Sequence, residues 1–224
     1  MLLSTNRRTV ELPTLLTHMP NHRSMSHDEC DQLLLFVDSA APITVECVAS
    51  TGENVVLEMS SSCGVVDIVA TAAEFSEDVR QLELFITAGS HQFEPITYSI
   101  RKHYGEQRRI AWLSSLGSVE RYTFPVIAAS YRTAERCTYR SAEGTTRTAT
   151  LSWRRVEKLV SDYECRSLLC SLADVVSGSD AWIIDGDTLL PTIVEDRTME
   201  AHQIGAVGYL QVEVVTDEEE VAVC

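Results

Sequence analysis

From Leu33 to Lys102 apolar and polar residues alternate with a period of two in six short runs: LLLFVD, ITVECVAS, NVVLEMS, VVDIVATA, LELFITA and PITYSIRK. Successive side chains on a strand point to opposite faces, so such runs bury one row and leave the other in water. In ITVECVA the buried row is Ile43, Val45, Cys47 and Ala49; in PITYSIRK it is Ile96, Tyr98 and Ile100. Turn-forming residues separate the runs at Asp38–Pro42, Thr51–Asn54, Ser60–Gly64 and Ala88–His91. Strands this close together leave no room for crossover helices, which predicts a β-sandwich or small barrel rather than βαβ units. Pro95 predicts that the last strand starts there or lies on an edge.

The second half continues in the same style. RRIAWLSSLGSVERYTFP (Arg108 to Pro125) reads as a hairpin, with Ile110 and Trp112 on one face of the first strand and Tyr122 and Phe124 on one face of the second. A turn at Ser115–Ser118, with Gly117 at positive φ, would let these aromatics meet across the ladder. VIAASYRT, RCTYR, TRTATLSW, the hairpin AWIIDGDTLLPTIVED and the closing AVGYLQVEVV are also strand-like. One segment breaks the period. SDYECRSLLCSLADVVSG places Leu168, Leu169, Leu172 and Val175 at three- and four-residue steps, which predicts one short α-helix over about 161–176. Ser161 and Glu164 fit a capping box and Gly178 a stop. The expected organisation is an extended arm over 1–30, with a first strand near Thr9–Leu12, then a β-sandwich over 31–104. A second β-domain with the helix follows over 105–216, then an acidic tail over 217–224 without regular structure.

Charge is divided along the chain. The formal net charge is −15, yet residues 101–155 hold eleven Lys/Arg against four acids. Sixteen of the eighteen basic residues are Arg, whose planar fork suits carboxylate-bearing interfaces. A molecule with a basic and an acidic face can join copies of itself or dock an acidic partner. The candidate interface residues are Arg101, Arg108, Arg109, Arg132, Arg136 and Arg140. Nucleic acid is not an expected partner, because the remainder is strongly acidic and no recognition motif is present. No apolar run is long enough to span a bilayer as a helix. The start lacks the basic-then-apolar order of a secretory signal, so folding in the host cytoplasm is expected. In that compartment the seven scattered cysteines are expected to be reduced and buried as small hydrophobes.

No cofactor, metal or catalytic site is expected. Phosphate loops, nucleophile elbows and zinc-binding helix motifs are missing from the sequence. Pro20 interrupts His18, His22 and His27, which read as a polar loop. Asp185-Gly-Asp187 lacks the later ligands of a calcium loop and reads as a turn. Trp112, Trp153 and Trp182 lie in apolar strand patterns and read as core rather than as a sugar platform.

The hairpin also resembles something known. Trp112-Leu-Ser-Ser-Leu-Gly117 with Tyr122-Thr-Phe124 after it is similar to a "W-x-N-x-x-G, then aromatic-x-F" segment of β-rich virion proteins of tailed bacteriophages and prophages, mainly of Bacteroidetes-type hosts. Ser114 stands where that pattern usually has Asn. The order of the elements C-terminal to the hairpin is similar too: a β stretch, a helix with Leu168, Leu169 and Leu172, a strand running from Ser177 or Ser179 to Trp182, and a terminal apolar strand. The likeness covers about 105–215 and brings no catalytic residues. It implies a structural component of a virion, tail- or neck-associated, assembled in the host cytoplasm from copies of itself and other virion proteins. The alternative is a non-catalytic carbohydrate- or surface-binding β-sandwich.

Overall fold

The computed structural model describes residues 12–102, 105–177, 180–186 and 188–222. Its described residues are mainly β, with one short helix. By internal contacts the chain divides into two compact units, Met1–Lys102 with Leu116–Ser118, and His103–Ser115 with Val119–Cys224.

The first unit contains β1 (Thr14–Leu15), β2 (His22–Ser26), β3 (Cys30–Val37), β4 (Ala41–Ala49), β5 (Asn54–Ser61), β6 (Gly64–Thr71), β7 (Gln81–Ala88), β8 (His91–Gln92) and β9 (Ile96–Arg101). They form a three-stranded sheet, β1-β3-β6, and a six-stranded sheet, β2-β9-β7-β4-β5, with β8 paired to β7. The alternating rows do what their period requires. Leu33, Leu35 and Val37 of β3 form one continuous core with Ile43 and Val45 of β4, Leu82, Leu84 and Ile86 of β7, and Ile96 and Tyr98 of β9. This is a β-sandwich, and β9 begins immediately after Pro95.

Residues 12–30 depart from the expected arm. β2 pairs in parallel with β9, and Met19 and Met25 are buried. The polar look of this stretch misleads because its cation is consumed inside. Arg23 Nη1 donates to Asp31 Oδ2 at 2.8 Å, Nη2 to Thr17 Oγ1 at 3.0 Å, and Nε to the Pro20 carbonyl at 3.0 Å. Tyr98 Oη donates to the same Asp31 oxygen at 2.9 Å. One buried guanidinium thus ties the leading segment to β3 and β9. The histidines of this stretch do not converge: His18 and His22 are exposed, and His27 Nε2 lies 3.1 Å from the Phe75 carbonyl oxygen. Residues 1–11, which include most of the strand expected near Thr9–Leu12, lie outside the described residues.

The second unit contains β10 (Arg108–Leu113), β11 (Val119–Phe124), β12 (Val126–Arg140), β13 (Thr146–Val160), β14 (Glu164–Cys165), α1 (Arg166–Ser177), β15 (Ala181–Asp185), β16 (Thr188–Thr192), β17 (Val194–Ile204) and β18 (Val207–Ala222). Its sheets are β11-β10-β15-β16 and β12-β13-β18-β14, the latter with β17 also paired to β18. The opening hairpin is antiparallel, with Ile110 opposite Tyr122 and Trp112 opposite Glu120. Gly117 has φ 82°, which supplies the left-handed step of the turn. Tyr122 and Phe124 meet edge to face at 5.0 Å, and all four hairpin apolars are buried. The hairpin is therefore core architecture.

The helix starts later than expected. Arg166, rather than a residue just after Ser161, opens α1, and the proposed capping box is used elsewhere. Ser161 Oγ accepts the Leu210 amide at 2.8 Å, and Glu164 Oε1 accepts the Tyr122 hydroxyl at 2.9 Å. Both bonds reach across the sequence, fastening the helix entry to β18 and to the hairpin. Leu168, Leu169, Leu172 and Val175 are buried as their spacing requires. Gly178 and Asp187 fall outside the described residues. The acidic stretch after Thr216 does not leave the fold as a tail: β18 runs on to Ala222, paired with Thr150–Arg155 of β13. No helix among the described residues is long and apolar enough to cross a membrane.

Candidate assembly surface

β12 and β13 are unusually long strands of 15 residues each, joined by a turn in which Gly144 has φ 81°. Their sequences, VIAASYRTAERCTYR and TRTATLSWRRVEKLV, are rich in Thr, Val and Tyr, which suit a pleated surface. The root of this ribbon is core, since Val156, Glu157 and Leu159 are buried. Its distal part is not. Every described residue of β12 from Ala128 to Arg140 is exposed, and β12 is an edge strand of its sheet.

The six candidate arginines separate into three sets. Arg101 closes β9 in the first unit, partly exposed. Arg108 forks onto the buried Glu157 carboxylate, Nε to Oε2 at 2.6 Å and Nη2 to Oε1 at 3.1 Å. That carboxylate raises the pKa of the guanidinium above its ordinary value. Arg109 Nη1 donates to Thr123 Oγ1 at 2.9 Å. Arg108 and Arg109 thus hold the second unit together internally. Arg132, Arg136 and Arg140 are different: all are exposed, and their even spacing along β12 puts them on one face.

The register adds cations that spacing along the chain does not single out. Arg155 lies directly opposite Arg132, and Trp153 opposite Ala134. The Arg132 guanidinium stacks over the Trp153 ring at 4.6 Å. Arg155 Nε donates to Ser130 Oγ at 3.2 Å. Only knowledge of the pairing reveals this cluster, because its members are about 20 residues apart in sequence.

The other face of the ribbon carries a groove of about 300 Å³ lined by Tyr131, Thr133, Ser152, Arg154, Glu195 and Glu213, with Val156 as its apolar floor. Glu195 and Glu213 are direct register partners on β17 and β18. Each carboxylate has a partner: Tyr131 Oη donates to Glu213, and Arg154 Nη1 lies 3.7 Å from Glu195 as an ion pair. The hydrogen bond to Glu213 pushes the Tyr131 phenol up to about 12, with burial and the charge of Glu195 contributing less. The groove is thus a polar network of two carboxylates and one guanidinium, with the Tyr131 hydroxyl bonded to Glu213. No group of three His, Cys, Asp or Glu side chains among the described residues is placed to hold a metal ion.

The cysteines depart from the expected burial. Cys30, Cys63, Cys137, Cys165 and Cys170 are exposed, and Cys47 is partly buried; none of these six is in a disulfide. Cys170 takes the outer helix face because Leu168, Leu169 and Leu172 fill the inner one. Two thiols are tuned in opposite directions. Burial, aided by the charge of Glu74, pushes Cys47 up to about 11. Cys165 precedes α1, and its pKa is lowered by the Ser167 hydroxyl and then by the Leu168 and Ser167 amides. The thiolate is the reactive species. In an iodoacetamide time course near pH 7.5 read by peptide mass spectrometry, Cys165 is expected to label first of these six and Cys47 last. Labelling of Cys47 at the rate of the exposed thiols would contradict its burial.

No protein-family model, curated protein or solved structure matches this chain.

Proposed function

We propose that this protein is a structural subunit of a tailed-phage virion, tail-associated, and that it works by oligomeric assembly rather than by chemistry. The observation that carries the reading is the exposed β12–β13 ribbon. A long, uncovered edge strand is a template for pairing with another chain, and proteins ordinarily shorten, twist, cover or charge such edges. Charges of one sign reject like edges and admit an opposite one. Here the edge is 15 residues long and bears Arg132, Arg136 and Arg140 on one face. Arg132 stands opposite Arg155, whose charge Glu157 of the same chain already meets at 3.6 Å, so the outward cations are those of the β12 row. Such a surface is suited to an acidic partner. The likeness of the hairpin to phage virion proteins supplies the biological setting, and neighbouring virion proteins are the other expected contacts.

The test is native mass by light scattering or sedimentation across ionic strength. A multimer at about 50 mM salt that loosens toward about 500 mM is expected, since the Debye length shrinks over that range. Peptides of the chain recovered from purified phage particles would support the setting. A strict monomer at every concentration and salt, above all one that binds oligosaccharide tightly, would overturn the proposal.

A further inference from the structure

The ribbon needs an acceptor, and the first unit contains a surface of matching character. β5 is the terminal strand of the six-stranded sheet, and β6 is the terminal strand of the three-stranded one. Val56, Leu57, Val65 and Val69 on these two edges are each about half exposed, among the most exposed large apolar residues described. Leu57 and Val69 flank a small cavity of about 60 Å³ that reaches the core at Val45 and Leu84. The stretch of chain that supplies both edges is acidic. Between Ser24 and Val79 the chain has eleven Asp and Glu and no Lys or Arg.

The two edges are complementary row by row. On β5, Val55, Leu57 and Met59 form the row toward the core, while Val56 and Glu58 form the outer row. On β12, Tyr131, Thr133, Glu135, Cys137 and Tyr139 alternate with Arg132, Ala134, Arg136, Thr138 and Arg140, so one row is largely uncharged apart from Glu135 and the other carries the three arginines. Aligned as adjacent strands, the two can place the tyrosine row beside the apolar row of β5 and the arginine row beside Glu58. Like-with-like pairing is disfavoured on both sides, because β12 against β12 would juxtapose arginines and β5 against β5 would juxtapose Glu58 with its own copy.

Resting on the assembly reading, we infer that β12 of one copy adds to the β5 edge of the first unit of a second copy, extending its six-stranded sheet. The main chain supplies the ladder of hydrogen bonds, and the alternate side chains supply the selectivity. Donor and acceptor are different surfaces, so the contact is head to tail and propagates into a ring or an open filament.

Charge exchange tests the pairing. A ribbon variant carries Arg132→Glu, Arg136→Glu and Arg140→Glu, and an edge variant carries Val56→Lys and Glu58→Lys. All five positions are exposed. Each variant alone is expected to self-associate at least about tenfold more weakly than the native chain, and the equimolar mixture is expected to recover assembly through its opposite charges. An edge variant that assembles like the native chain would overturn the β5 assignment and leave the assembly reading standing, as would a mixture that stays monomeric. A native chain that never assembles would remove the assembly reading itself. Crosslinking gives a second readout that does not depend on how the charge variants fold. With Leu57→Cys, mild oxidation is expected to join the introduced thiol to Cys137 of another copy, giving linked multimers on a non-reducing gel that are absent when Cys137→Ser is added. Linked multimers that persist after Cys137→Ser would overturn the pairing.

Discussion

Replacing Arg23 by alanine is expected to lower the stability of the first unit by about 3–5 kcal/mol, the usual cost of stranding one partner of a buried ion pair. Arg23 and Asp31 have side chains only 3% and 7% exposed, so water cannot take over the missing contact. The loss is compounded, because the same guanidinium serves Thr17 and the Met19 and Pro20 carbonyls. The leading segment would keep its main-chain pairing with β3 and β9 but lose the side-chain tie to Asp31 that locks it there. Asp31→Leu combined with Arg23→Met should recover part of the stability, since an apolar pair avoids the stranded charge. It should not recover all of it, because the Tyr98 hydroxyl would then lack its acceptor. All three tryptophans lie in the second unit, so fluorescence is the wrong reporter. Hydrogen exchange at the amides of β2, β3 and β9 reads the effect directly. A loss below about 1 kcal/mol would show that the pair is solvated rather than buried.

That network also shows where sequence reasoning stops. Alternation is legible where one face of a strand meets a core: it located β3, β4, β7 and β9, and it named the inward rows of β4 and β9, of which Cys47 alone is only partly buried. β2 escaped because HRSMS looks like a polar loop until Arg23 is seen to have buried partners. Ser161 and Glu164 have the spacing of a local cap, but their partners, Leu210 and Tyr122, are set by tertiary contacts that no local window contains. The acidic stretch after Thr216 has the composition of a loose tail. The backbone register instead lays Asp217 and Glu218 beside Arg155 and Arg154, a pairing invisible from composition alone. The arginine excess of 101–155 was legible as a charge imbalance. Its division into internal clamps at Arg108 and Arg109 and an outward row on β12 was not, because both groups have the same residue type and only the fold separates them.

Shortening the ribbon should abolish assembly while leaving the second unit folded. Removing residues 135–152 and joining Ala134 to Trp153 through Asn-Gly keeps a closed hairpin, because those two residues are direct register partners. Val156, Leu159, Leu210, Val212 and Val214, which are buried at the ribbon's root, are untouched. The excised part of β12 carries exposed side chains, and surface positions of this kind contribute little to stability. The expected cost is therefore no more than about 1–2 kcal/mol, arising mainly where β18 loses its partners at Thr150–Ser152. Self-association, in contrast, should vanish, because both Arg136 and Arg140 and the exposed length of the edge go with the deletion. Sedimentation gives the mass and thermal unfolding gives the stability of the same sample. A shortened chain that melts like the native one and still assembles would place the contact elsewhere. One that unfolds outright would show that the ribbon is part of the core and not an arm built for a neighbour.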